Sequence, residues 1–186
     1  MLKAGMNKAE IEKELYGKGD YVQIHDLRRF VQENIPVDVK RAACVKLVEI
    51  YERRSMFLEA SFIYDKLAEM AVSSAEKVSF LIKEVECSVK AGSLEKADAV
   101  MLKIMTFAKP MERGGIIRSV REFYKRQAQA YEKERRKSKA VEIYEKIITL
   151  KDVSEEEKEE INRKLVVLYK DLGMVGKYLG LKEKIK

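Results

Sequence analysis

Few residue types in this 186-residue chain could carry reactivity: a single histidine, two cysteines and the carboxylates. A nucleophilic site needs a hydroxyl or thiol within reach of a base, and His25 is the one imidazole available. Its neighbour Asp26 follows it directly in a helical pattern, where adjacent residues do not share a face. Cys44 and Cys87 fall on apolar helix faces and read as small buried hydrophobes. An activated thiol wants a cation or a helix N-terminus beside it, and Cys44 has only Arg41 one turn earlier. Glu84 and Glu86 sit among lysines and read as solvated faces. One histidine and two cysteines fall short of a tetrahedral zinc set. No Gly-rich phosphate loop, G-x-S-x-G or H-E-x-x-H occurs. These residues predict no enzyme, no metal and no cofactor.

The composition supports a folded chain. It is 46% hydrophobic and 37% charged, with two prolines and no tryptophan, enough apolar residue for a core. The longest run without an acid or base is six residues, 70–75, far short of the about 20 that span a bilayer. The first residues lack the apolar core of a secretory leader. A soluble, reduced, cytoplasmic setting is the expectation. The net charge of +7 is concentrated: between Lys109 and Lys139 eleven basic residues face four acidic ones. Arg118, Arg121, Lys125, Arg126, Arg135, Arg136, Lys137 and Lys139 make this a candidate basic patch for phosphates or acidic partners, against the alternative of a solvated helix face.

Helix-period patterns run almost throughout, and alternating strand patterns are absent. Predicted helices cover 7–17, 21–33, 37–53, 56–72, 75–91, 94–108, 116–134, 137–149, 155–172 and 174–185. Ser74 reads as the N-cap of the fifth and Ser154 with Glu157 as a capping box of the ninth. Gly92 and Gly173 fall where a left-handed turn follows a helix. Met70, Met101, Met105 and Met111 read as core fillers. One pattern recurs after a short turn: Ala60, Tyr64, Leu67; then Ala97, Met101, Ile104; then Ala140, Tyr144, Ile147. The alanines are 37 and 43 residues apart. A preceding helix carries Leu47 and Tyr51, Leu81 and Ser88, or Ala128 and Tyr131. Pro36 and Pro110 lie near the end of a pair, where proline stops a helix.

These slots resemble the tetratricopeptide repeat (TPR), W-x2-L-G-x2-Y…A-x3-F…P over about 34 residues. Cys44, Leu81, Tyr124 and Asn162 stand in the tryptophan slot, and Val48, Val85, Ala128 and Val166 in that of the glycine. The repeats are therefore degenerate. The resemblance implies an all-α fold: one domain, 1–186, a right-handed α-solenoid of about five antiparallel helix pairs. It further implies a partner groove on the first helix of each pair. The groove slots include Val45, Glu49, Glu52 and Arg53, then Ile82, Glu86, Val89 and Lys90. Further along they include Lys125, Gln129 and Lys133, then Arg163, Val167 and Lys170. The lysine–asparagine carboxylate clamp of chaperone-binding members is missing.

The leading expectation is a non-enzymatic scaffold or adaptor that binds another protein's peptide or helix without membrane insertion. The alternative is a nucleic-acid-binding helical repeat that uses residues 109–139. The last helix, with Val175, Tyr178, Leu179, Leu181 and Ile185, is apolar for an end cap, which makes a second copy of the chain a further candidate partner. Alanine recurs where helices cross closely. Ala97→Leu therefore overpacks a crossing and is expected to cost about 1–3 kcal/mol in urea unfolding.

Overall fold

The computed structural model describes residues 2–150 and 152–184. Among these are ten helices: α1 (Lys8–Leu15), α2 (Asp20–Phe30), α3 (Val37–Arg53), α4 (Phe57–Glu69), α5 (Ser74–Ala91), α6 (Leu94–Phe107), α7 (Pro110–Lys133), α8 (Lys137–Thr149), α9 (Glu155–Asp171) and α10 (Val175–Lys184). No strand occurs among the described residues, and none of their helices is long and apolar enough to cross a membrane. The chain divides into two compact units, Met1–Arg113 and Gly114–Lys186.

In the first unit the helices pack in chain order from α2 to α6, and α1 lies on α3. Asn7 and Glu10 form a complete capping box at the start of α1, which buries Ile11 and Leu15. The core runs through Leu27, Leu47, Ile50, Leu67 and Leu81, each at most 1% exposed. In the second unit α8 packs on α9 and α9 on α10. The α7 helix is tied to α8 by a hydrogen bond from the Tyr144 hydroxyl to Glu132, 2.8 Å.

The same turn follows α3, α5, α7 and α9. A left-handed residue stands there: Ser55 (φ 56°) and Gly92 (φ 78°) in the first unit, Arg135 (φ 60°) and Gly173 (φ 67°) in the second. The next amide donates back to a carbonyl five residues earlier. These bonds are Met56 to Tyr51 (2.8 Å), Ser93 to Ser88 (2.9 Å), Arg136 to Tyr131 (2.8 Å) and Met174 to Tyr169 (2.9 Å). Such closure satisfies carbonyls the helix end leaves open. Five residues after the left-handed position come Ala60, Ala97 and Ala140, all 0% exposed. In the last pair that place is held by Tyr178, and α10 buries no residue.

Four local expectations need correction. Pro110 starts α7 rather than ending a pair. Its missing N–H costs nothing in a first turn, and the Glu112 carboxylate accepts from the Lys109 amide at 3.3 Å. The helix then runs through Gly114 and Gly115, ahead of the predicted start at 116. Ser73, not Ser74, caps α5, its hydroxyl accepting from the Glu76 amide. Ser154 caps α9, but the Glu157 carboxylate faces Arg121 and Lys125 instead of closing a box. Met111 is 88% exposed and is no core filler.

Left-handed backbone costs an L-residue roughly 1–2 kcal/mol, and glycine escapes that penalty. Gly92→Ala is expected to lower unfolding free energy by about 1 kcal/mol, read from the midpoint shift in urea at unchanged slope.

Candidate functional site

An open groove of about 590 Å³ lies between α1 and α3 of the first unit. Val45 and Glu49 line it, with Ile11, Val37, Met70 and Val72 supplying apolar wall. Val37 is 62% and Val45 38% exposed. The charges of α3 here are engaged among themselves and their neighbours. Lys46 pairs with Glu49 at 3.4 Å, Asp38 with Lys8 at 4.0 Å, and Arg41 with Glu76.

The other predicted groove positions of this unit are divided. Glu52 is turned inward, accepting from the Tyr64 hydroxyl at 3.0 Å and from the Cys87 thiol at 3.6 Å. Arg53 pairs with Asp20. Glu86 is held between Lys83 (3.0 Å) and Lys90 (2.9 Å), Lys90 lies over the Phe57 ring, and Ile82 is half-buried. Val89 is fully buried and faces no groove. The α5 helix packs against both α4 and α6, so it buries a wider arc than a one-stripe helix would.

In the second unit Gln129, Lys133, Arg163, Val167 and Lys170 are exposed, and Lys125 is half-buried. The basic patch does not form one free surface. Arg121 and Lys125 converge on Glu157 Oε1 at 3.3 and 2.6 Å. Lys137 pairs with Asp171 at 2.8 Å. Arg136 lies over the Tyr131 ring and 3.3 Å from Glu134, while Arg126 lies over Phe123. Arg118, Arg135 and Lys139 are exposed to solvent. The acids that reduce the patch come from α9, beyond the reach of a local charge count.

The residues singled out for chemistry are occupied structurally. The His25 side chain is 77% exposed, with Nδ1 3.5 Å from Asp26, so the adjacent carboxylate does reach it. Burial raises the Cys44 thiol above its usual range. Burial, together with the Glu52 carboxylate, pushes Cys87 up to about 12. Both thiols stay protonated near neutrality, contrary to a nucleophile's needs. Burial also raises the hydroxyls of Tyr64 and Tyr144, each bound to a carboxylate twelve residues earlier. The pairs Glu52–Tyr64 and Glu132–Tyr144 repeat one contact, and the shared Tyr-Glu of Tyr51–Glu52 and Tyr131–Glu132 was its sequence signal.

Glu84 was read as a solvated carboxylate and is 2% exposed. Its Oε1 lies 3.2 Å from Lys96 Nζ, which also donates to Ser61 Oγ at 2.8 Å and sits 3.8 Å from the centre of the Phe62 ring. Its Oε2 is buried without a hydrogen bond. Nearby, Lys103 pairs with Asp65 at 2.6 Å. Burial raises the Glu84 carboxyl, Asp65 adds to the rise, and Lys96 and Lys103 oppose it. No protein-family model matches the chain, and no curated protein matches it.

A carboxyl raised by folding contributes stability below its unfolded pKa, about 4.3 for Glu. That contribution is lost as pH rises through the folded value. Glu84→Gln is therefore expected to match the parent in stability under acid conditions and to gain on it as pH rises to neutrality. Paired urea titrations across that range check where the gain sets in.

Proposed function

We propose that the chain is a non-enzymatic scaffold or adaptor of TPR-like helix pairs, a right-handed α-solenoid of about five pairs working in the cytoplasm. It would hold a partner's peptide or helix against its first helices. The observation that carries this reading is the recurrence of one turn, left-handed residue and backward bond included, at Ser55, Gly92, Arg135 and Gly173. A repeated turn gives each helix pair the same reversal. On those first helices Val45 and Val167 stay exposed, Val45 over the open groove, as an amphipathic partner requires. The thiols, the carboxylate Glu84 and the tyrosine hydroxyls are already engaged or buried, which supports binding rather than catalysis.

The nucleic-acid reading has the exposed Arg118, Arg135 and Lys139 in its favour. Tyr124 and Tyr131, the rings interleaved with the basic residues, are 0% and 4% exposed and offer bases no stacking platform.

A photo-cross-linking residue at position 45, with one at exposed position 102 on α6 as control, tests the scaffold reading in native lysate after nuclease treatment. A discrete protein cross-linked from 45 and not from 102 is the expected result. Cross-links that vanish with nuclease, or that appear equally at both positions, would overturn it.

A further inference from the structure

The carboxylate of Glu84 stands where three helices of the first unit meet, and a scaffold role makes no use of it. Its helix α5 packs against α4 and α6. The charged groups facing it are Asp65 from α4 and Lys96 and Lys103 from α6. Lys96 joins all three helices. Its Nζ lies 3.2 Å from Glu84 Oε1, donates to Ser61 Oγ at 2.8 Å and sits over the Phe62 ring. Lys103 ties α6 to α4 a second time, through Asp65 at 2.6 Å.

These contacts do not balance the charge. Glu84 is buried, while its ammonium partner is partly open to solvent and shared with a hydroxyl and a ring. Oε2 has no hydrogen bond. A buried ion pair gains only where its remaining lone pairs are served, and here one oxygen is not. Asp65 adds a like charge. A proton on Oε2 removes the charge and turns that oxygen into a donor. Ser88, one turn later on the same face of α5, is equally buried and its Oγ also lacks a partner. The closed packing therefore suits the protonated acid, and the ionised acid favours any arrangement that admits water.

The helix best placed to admit it is α6. The α4 helix packs on both α3 and α5. The α6 helix packs on α5 and reaches α4 through the Lys96 and Lys103 side chains. The element with less support opens more readily.

We propose that Glu84 is a proton-controlled latch on α6. With the proton in place α6 stays docked. On its loss α6 is released locally, the carboxylate is hydrated, and Ala97, Val100 and Ile104, the buried face of α6, become accessible to a partner. The latch stands apart from the scaffold reading, which concerns first helices. The closed form holds a proton that the open form gives up. The opening constant therefore rises with pH, by up to about tenfold per pH unit for one proton. The rise starts above the ordinary glutamate value of about 4.3.

Amide hydrogen exchange of the full chain between about pH 5 and 8, divided by the intrinsic rates, reads this opening. Protection of α6 amides at 97–104 should fall with rising pH ahead of that of α3 amides at 43–51. Glu84→Gln should flatten the α6 profile. Asp65→Asn leaves Glu84 in place, removes the like charge and frees Lys103, so the rise should end at lower pH. Lys96→Met should extend it to higher pH. A pH-independent α6, or a rise that Glu84→Gln leaves intact, would overturn the proposal. So would equal rises in α6 and α3, because the proton would then be released only by global unfolding.

Discussion

A helix with one apolar stripe cannot bury that stripe alone, and everything here follows from how each helix finds its cover. The solution is a tight reversal through one left-handed residue, after which an alanine lets the returning helix approach closely. Ala60, Ala97 and Ala140 have no exposed surface. A larger residue there would separate the helices and open the core around Leu67, Ile104 or Ile147. Glycine meets the left-handed requirement at Gly92 and Gly173, whereas Ser55 and Arg135 adopt it against their preference. That the same backbone bonds close all four turns shows packing overriding the local cost at those two.

Polar groups inside this packing follow a second rule. A buried hydroxyl or carboxylate must find a partner, and the pairs supply it across the turn. Tyr64 reaches back to Glu52 and Tyr144 to Glu132. Glu84 departs from the rule: Lys96 serves one oxygen and the other is left without a hydrogen bond. Such a site lowers stability where the carboxylate is charged. It also gives α5 and α6 a charge-dependent contact at the centre of the first unit.

The helical class, the number of helices and most boundaries were legible in the sequence, because stripes of apolar residues and the alanine slots are local signals. The start of α7 was not: the pattern placed it at 116, while the first turn is secured at Pro110 and Glu112. Val89 and Glu84 could not be placed from periodicity. Both lie on α5, which packs against two helices, and a pattern within one helix does not report how many neighbours cover it. The basic segment was visible as charge, but the acids that occupy Arg121, Lys125 and Lys137 arrive from 157 and 171. Of the four apolar groove positions, Val45 and Val167 are exposed, Ile82 is half-buried and Val89 is buried, a division that periodicity within one helix does not report.

The central claim is that the outward faces of first helices are the working surface. Hydroxyl-radical footprinting of the full chain, alone and in native lysate, tests it most directly. The account predicts that Val45 on α3 or Val167 on α9 loses reactivity in lysate, while the exposed second-helix residues Leu58, Phe62 and Leu102 keep theirs. Protection of the second-helix residues with Val45 and Val167 unchanged would contradict it.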